Sequence, residues 1–155
     1  MPAYTFVTHW RFEAPIAVVW DEIQHSERWP QWWPSVMAVT ELQKGDERGV
    51  GAVRRFRWRG ALPYTLTFDM KTTIVERPVR LEGIATGELS GRGRWTLINE
   101  GSATSVRYDW EVDANKLWMR LLHPIARRLF EWNHDIVMKR GQEGLRAKLA
   151  GPPQR

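Results

Sequence analysis

The sequence predicts an α+β protein in which a curved, seven-stranded antiparallel sheet wraps around a long C-terminal helix. Three observations point to this fold class. Apolar and polar residues alternate as in strands, the breaks between the central strands are too short for parallel crossovers, and the pattern changes to helical spacing from about residue 115. We expect residues 1–150 to form a single ligand-binding domain. Residues 151–155 should be a disordered tail, because they contain two prolines and no apolar anchor.

The chain opens with a strand followed by two short helices. In residues 4–12 the aromatic side chains fall on one face, which is typical of a strand with one buried side. Pro15 suits the first turn of a helix, which we expect over residues 16–24. A second short helix should run from about Ser26 to Trp32, since the prolines in and after this segment exclude a longer one.

Six further strands are predicted between residues 36 and 113. Gly, Pro, Asn and Asp separate them, and connections this short favour antiparallel hairpins. The predicted strands are 36–43, 49–59, 63–76, 79–86, 89–99 and 103–113. A sheet of this length twists and curls, so its apolar face needs a cover. The C-terminal helix is the candidate for that cover.

The C-terminal helix is predicted over about residues 115–149. Large apolar residues recur there at helical spacing, and we expect them to form the stripe that packs on the sheet. Pro124 should kink the helix or end a first segment of it, and Gly141 and Gly144 should weaken its last turns. The predicted stripe consists of Trp118, Leu121, Leu122, Ile125, Leu129, Trp132 and Ile136.

Composition argues against several kinds of chemistry. The chain has no cysteine, so disulfides, thiolate nucleophiles and cysteine metal sites are excluded. The four histidines have no metal-site spacing, and no phosphate loop, dinucleotide fingerprint or nucleophile elbow occurs. We therefore expect neither a metal nor a cofactor. No signal peptide or membrane span is recognisable, which favours a cytoplasmic location.

The ten tryptophans exceed what a plain core of this size requires. We expect some of them to line a cavity between the sheet and the helix, although several must simply fill the core. Such a cavity would bind a hydrophobic or aromatic small molecule. The predicted ligand-binding residues are Trp33, Arg54, Phe56, Tyr64, Phe68, Trp95, Tyr108, Trp110, Leu129 and Asn133.

Arg54 is the first of four weak candidates for a catalytic role. It is in phase with Phe56 and should face inward, where an arginine needs a buried acid or an anionic ligand as partner. A bulge that shifts the strand by one residue would instead turn Arg55 and Arg57 inward.

Tyr64, Asn133 and His134 are the other candidates. Tyr64 could orient a carbonyl group or could merely pack in the core. Asn133 could contact a ligand, or could bond to a neighbouring strand or a buried water. His134 is followed by Asp135, but adjacent residues on a helix point about 100° apart, which is poor geometry for a base and its orienting acid.

Several segments have the form of known motifs. They are Ala14-Pro15-Ile16, the aromatic segment from Trp29 to Pro34, Gly49-Val50-Gly51 before Arg54-Arg55-Phe56, and the long terminal helix. With the order of elements, they resemble the polyketide cyclase/dehydratase and lipid-transport branch of the START-like, or Bet v 1-like, superfamily (SRPBCC). The resemblance covers about residues 3–149 and implies the helix-grip fold and a cavity for lipid-like or polyketide-like molecules. It implies no shared catalytic set, because members include carriers, enzymes and sensors.

Three functions remain open at this point. The first is binding of a hydrophobic or aromatic small molecule, without chemistry. The second is a cyclase or dehydratase that holds a flexible chain and polarises its carbonyls with Arg54, Tyr64 and Asn133. The third is a basic surface for anionic lipid or nucleic acid, motivated by Arg127 and Arg128. The scattered charges disfavour it, so no nucleic acid partner is expected, while a homodimer is left open.

Overall fold

The computed structural model describes residues 4–121 and 125–151 of the chain. These residues form one seven-stranded antiparallel sheet in the order β1-β7-β6-β5-β4-β3-β2. The strands are β1 (Tyr4–Phe12), β2 (Val36–Gln43), β3 (Val53–Trp58), β4 (Leu66–Glu76), β5 (Arg80–Gly87), β6 (Leu89–Glu100) and β7 (Ala103–Ala114). The helices are α1 (Ile16–Gln24), a 3-10 helix (Ser26–Gln31), α2 (Leu117–Leu121) and α3 (Ile125–Leu149). The predicted fold class is confirmed.

The strand order explains the position of the early helices. β1 and β2 lie at opposite edges of the sheet, so the chain between them must cross from one edge to the other. Helix α1 and the 3-10 helix make this crossing. Within the described residues, no helix combines the length and the apolar character needed to span a bilayer.

Two strands begin three or more residues later than the sequence predicts. β3 begins at Val53 rather than at residue 49, because the preceding residues form a turn around Asp46. The Asp46 carboxylate accepts hydrogen bonds of 2.9 Å from the backbone N–H groups of Arg48 and Val50. β4 begins at Leu66 rather than at residue 63, because residues 59–65 form a loop that helix α3 holds.

The predicted buried stripe of the C-terminal helix is wrong. Most of its large apolar members in the described residues are exposed, and the buried face of α3 lies about a quarter-turn or more away. That face is formed by Ala126, Phe130, Asn133, Val137, Met138, Gly141 and Leu145. This face includes small and polar residues, so a pattern based only on large apolar side chains does not identify it. Leu122 and Pro124 lie outside the described residues.

Tryptophans hold the C-terminal half of α3 against the rest of the core. The indole N–H of Trp33 donates to the carbonyl oxygen of Val137 at 2.8 Å, and that of Trp10 donates to Met138 at 3.1 Å. A Cβ atom at Gly141 would lie only 2.5 Å from the Trp33 ring. Gly141 is therefore a site of close packing and not merely a weak point of the helix.

Candidate ligand-binding cavity

A cavity of about 150 Å³ lies between the concave face of the sheet and helix α3. Aromatic rings form much of its wall, and they come from the 3-10 helix, the sheet and α3. The aromatic residues that line it include Trp29, Trp33, Phe56, Trp58, Phe68, Trp95, Tyr108, Trp110 and Phe130. The wall is therefore mainly apolar, with the polar groups confined to a few positions.

Strand register brings these rings together. Phe56 of β3 is paired with Phe68 of β4, and Trp95 of β6 with Tyr108 of β7. Paired residues point to the same face of an antiparallel sheet, so each pair presents both of its rings to the cavity. The rings of Trp95 and Tyr108 stack with centroids 4.1 Å apart. Gly93 leaves room beside them, since a Cβ atom there would lie 2.7 Å from the Tyr108 hydroxyl.

Arg54 faces inward as predicted, but its guanidinium has partners within the protein. It donates to the carbonyl oxygen of Gln24 at 3.1 Å and to the hydroxyl of Ser26 at 2.8 Å, and it lies 3.3 Å from the carboxylate of Glu27. The acid partner is thus the exposed Glu27 and not a buried one. Arg55 takes the other side of the strand and pairs with Asp69. Arg54 therefore ties β3 to the junction of α1 and the 3-10 helix.

Asn133 connects α3 to the loop between β3 and β4. Its side-chain oxygen accepts hydrogen bonds from the backbone N–H groups of Ala61, at 2.7 Å, and Leu62, at 3.3 Å. These two donors fix the orientation of the amide. The amide nitrogen in turn donates a hydrogen bond of 3.4 Å to the Tyr64 hydroxyl. The oxygen is therefore occupied by the loop, and only the amide N–H group is directed towards groups in the cavity wall.

Tyr64 lies between Asn133 and the α2 helix. Its ring meets Trp118 edge to face at a centroid distance of 5.2 Å. Burial raises the pKa of Tyr64 to about 12, although the hydrogen bond from Asn133 acts in the opposite direction. The phenol is thus protonated at neutral pH, and it can donate its own proton while accepting one from Asn133.

His134 lines the cavity beside Asn133 and stacks on Phe6, with ring centroids 3.8 Å apart. Both ring nitrogens are buried and have no hydrogen-bond partner in the described structure. Burial lowers the pKa of His134 to about 4, so the imidazole is neutral at pH 7. It therefore offers one N–H donor and one nitrogen acceptor. Asp135 is exposed and does not orient it.

A further polar group of the wall has no partner among residues 4–121 and 125–151. The indole N–H of Trp58 is buried and unbonded. Tyr108 also lines the cavity, and burial raises the pKa of its phenol. A buried polar group without a partner costs about 1–3 kcal/mol, so such groups at a cavity wall are suited to a ligand or to water. The described residues contain no group of three or more His, Cys, Asp or Glu that could hold a metal ion.

Nine of the ten predicted ligand-binding residues line the cavity, as does His134. The exception is Leu129, which is 44% exposed and faces away because the predicted phase of the helix is wrong. Contact of any of them with a ligand stays a prediction. Trp58 and Phe130 also line the cavity but are not among the predicted residues. Trp58 is in phase with Phe56, and Phe130 lies three residues before the inward-facing Asn133.

This geometry defines a class of protein. A seven-stranded antiparallel sheet that grips a long C-terminal helix around a cavity is the helix-grip fold of the START-like, Bet v 1-like superfamily. Residues 5–150 match the family described as polyketide cyclase / dehydrase and lipid transport. The chain belongs to this family. No match was found among curated protein sequences.

Solved structures show the same fold at low sequence identity. A protein from Thermus thermophilus is 16% identical with a TM-score of 0.75, covering 96% of this chain and 100% of its own. The Zhui aromatase/cyclase from Streptomyces is 14% identical with a TM-score of 0.74, over 94% of this chain and 92% of its own. A START superfamily protein from Mycobacterium smegmatis is 12% identical with a TM-score of 0.73, over 90% and 94%.

Proposed function

We propose that the protein binds a small, mainly apolar aromatic molecule that carries a neutral hydroxyl or carbonyl group. One observation carries the proposal: an aromatic-walled cavity whose buried polar groups on His134 and Trp58 lack hydrogen-bond partners within the described structure. The family description, which includes lipid transport and polyketide cyclisation, supports a hydrophobic ligand.

The size of the cavity favours a ligand with one aromatic ring. Pockets for drug-sized molecules usually measure about 300–1,000 Å³, whereas this cavity measures about 150 Å³. A dry cavity of that size in another protein holds benzene. A fused polyketide or a long lipid would require the wall to move apart.

The charges around the cavity favour a neutral polar group on the ligand. Arg54 is the cation that reaches the wall, and its hydrogen bonds are directed to Gln24 and Ser26. A carboxylate in the cavity would therefore lack a free cationic partner and would be costly to desolvate. A hydroxyl or carbonyl group could bond to the neutral imidazole of His134, or accept from the indole N–H of Trp58.

Calorimetric titration with toluene and p-cresol tests the proposal, because the two molecules differ by one hydroxyl group. We expect both to bind with 1:1 stoichiometry and p-cresol to bind up to about tenfold more tightly, as one net hydrogen bond allows. The variant His134→Phe should keep toluene binding and reduce the advantage of p-cresol. Failure of both molecules to bind the native protein would contradict the proposal.

An aromatase or cyclase activity is the second candidate. It is favoured by two side chains that line the same cavity: the protonated phenol of Tyr64, which Asn133 holds by a hydrogen bond, and the neutral imidazole of His134. Tyr64 would donate a hydrogen bond to a substrate carbonyl, and His134 would accept a proton from carbon. Arg54 would not take part in this step, because its bonds run to α1 and the 3-10 helix.

Product analysis after incubation with a linear poly-β-ketone thioester tests this candidate. If it is correct, a cyclised product forms, and Tyr64→Phe lowers the rate by roughly a hundredfold or more. Arg54→Gln should affect the rate only as far as it affects stability. Absence of a cyclised product with the native protein would leave binding alone as the function.

A further inference from the structure

The exposed large apolar residues are concentrated in one place. Thirteen such residues are exposed in the described structure, and six of them lie between residues 117 and 132. The other seven are spread over the rest of the described chain. The six form what we call the apolar ridge: Leu117, Trp118, Leu121, Ile125, Leu129 and Trp132.

The apolar ridge follows one side of α2 and of the first turns of α3. Ile125, Leu129 and Trp132 are spaced at i, i+4 and i+7, so they lie above one another on the helix. Leu121 and Ile125 are 70% and 69% exposed, which is far above the exposure of core residues. Large apolar side chains that are concentrated and exposed in this way mark an interaction site in proteins.

Positive charge accompanies the apolar ridge. Residues 117–132 contain the arginines 120, 127 and 128 and one acid, Glu131. Arg127 pairs with Glu131 at 3.0 Å. Arg120 and Arg128 are exposed and form no ion pair with any residue the structure describes. Arg128 precedes Leu129 and lies one turn before Trp132, so a free cation borders the apolar surface.

We propose that the apolar ridge docks the protein on the surface of an anionic phospholipid bilayer. Apolar side chains bordered by arginines match the acyl-chain boundary and the anionic headgroups of such a surface. Trp118 and Trp132 are also of the residue type that prefers the membrane–water interface. A second copy of the chain fits less well, because a twofold contact would bring the unpaired arginines 120 and 128 of both copies into one interface.

The ridge is linked to the cavity by a direct ring contact. Trp118 meets the ring of Tyr64, which lines the cavity and bonds to Asn133. Docking would therefore place lipid beside the loop of residues 59–65, which lines the cavity next to α3. If the proposed ligand binding is correct, this position would let an apolar ligand pass between bilayer and cavity. The docking itself does not depend on that ligand.

Vesicle flotation tests the docking directly. The full chain is mixed with vesicles of pure phosphatidylcholine, or with vesicles that contain 30% phosphatidylglycerol, at low and at high salt. We expect the protein to float with the anionic vesicles at low salt and to be released by high salt. The ridge variant Leu121→Ser/Ile125→Ser should reduce flotation by at least tenfold, and Ile98→Ser on the outer face of the sheet should not.

A charge variant separates lipid docking from nonspecific attraction. Arg120→Gln/Arg128→Gln should weaken binding to anionic vesicles by roughly fivefold for each arginine. The matched control is Arg57→Gln/Arg59→Gln, which removes the same charge from exposed positions on and after β3. Equal losses in the two variants would overturn a ridge-specific contact.

The absence of cysteine provides a second readout that does not depend on a loss of binding. Leu121→Cys and Ile98→Cys can each be labelled with an environment-sensitive fluorophore. The label at position 121 should shift to the blue when anionic vesicles are added, and the label at position 98 should not. The proposal fails if neither label responds, or if sedimentation shows a dimer that the ridge variant abolishes. Toluene titration of the ridge variant shows separately whether the cavity still binds.

Discussion

The side-chain oxygen of Asn133 accepts a hydrogen bond from the backbone N–H of Ala61 at a distance of 2.7 Å. These residues are 72 positions apart in the sequence, and the bond joins the middle of α3 to the loop between β3 and β4. Asn133 is buried and also lines the cavity. One side chain therefore holds the loop in place and forms part of the wall.

Replacing Asn133 by alanine should destabilise the protein. Asn133→Ala leaves the N–H groups of Ala61 and Leu62 without their acceptor, and we expect a loss of about 1–3 kcal/mol in the free energy of unfolding. Urea denaturation measures this loss. The control Asn99→Ala removes an amide from the exposed end of β6 and should change the free energy by about 0.5 kcal/mol or less. Equal effects of the two substitutions would contradict the role assigned to Asn133.

Gly60 and Asn133 should behave as a coupled pair. A Cβ atom at Gly60 would collide with the Asn133 amide and would lie 2.7 Å from its Cγ. The three atoms that it meets are all amide atoms of Asn133, which alanine at position 133 lacks. Gly60→Ala should therefore cost about 1–3 kcal/mol in the native protein and clearly less when Asn133 is alanine. A double-mutant cycle by urea denaturation measures the coupling. Additive effects would show that the two residues are not in contact.

Gly144→Ala should destabilise the protein although alanine favours helices. The exchange gains about 1 kcal/mol of helix propensity, but the new Cβ atom would collide with the backbone carbonyl of Trp32. Backbone atoms cannot move aside cheaply, so the clash should exceed the gain and lower the midpoint of thermal unfolding. Glu143→Ala, at the exposed neighbouring position, is the control and should leave the midpoint nearly unchanged. A rise of the midpoint in Gly144→Ala would contradict the packing of α3 on Trp32.

The buried imidazole of His134 should make stability depend on pH. The pKa of His134 is about 4 in the folded protein and about 6.5 in the unfolded chain. Between these values the unfolded chain binds the proton more readily, so stability is full above pH 6.5 and declines as pH falls towards 4. The decline should amount to on the order of 2–3 kcal/mol.

The variant His134→Phe isolates this contribution from that of the carboxylates. Its free energy of unfolding should fall less between pH 6.5 and 4 than that of the native protein, as measured by urea denaturation at each pH. His9→Gln, which changes an exposed histidine, should keep the native slope. Identical slopes for His134→Phe and the native protein would mean that His134 is not buried in its neutral form.

The strands of the cavity could be predicted because alternation has a period of two residues. It predicts Phe56, Phe68 and Trp110 on the inner face, and the structure has them there. The buried face of α3 is harder to predict, because it includes Asn133 and Gly141, which are not large apolar residues. Apolar periodicity therefore predicts the more hydrophobic ridge, on another side of the helix, as the buried face.

The hydrogen-bond partners of the polar residues in the site could not be predicted from the sequence. Arg54 donates to the backbone carbonyl of Gln24 and to the hydroxyl of Ser26, and the Asn133 oxygen accepts from backbone N–H groups of residues 61–62. These contacts depend on how the connecting segments fold back. An inward-facing polar residue indicates that a partner exists, but its residue type does not say whether the partner is a ligand or the chain itself.

Toluene binding to a variant with a filled cavity tests the central claim most directly. Leu66 is buried and lines the cavity, so Leu66→Trp should fill part of the 150 Å³, whereas Ile98→Trp adds the same ring to the outer face of the sheet. Calorimetric titration should show toluene binding to the native protein and to Ile98→Trp, and at least tenfold weaker binding to a folded Leu66→Trp. Unchanged binding in Leu66→Trp would place the ligand outside the cavity and contradict the account.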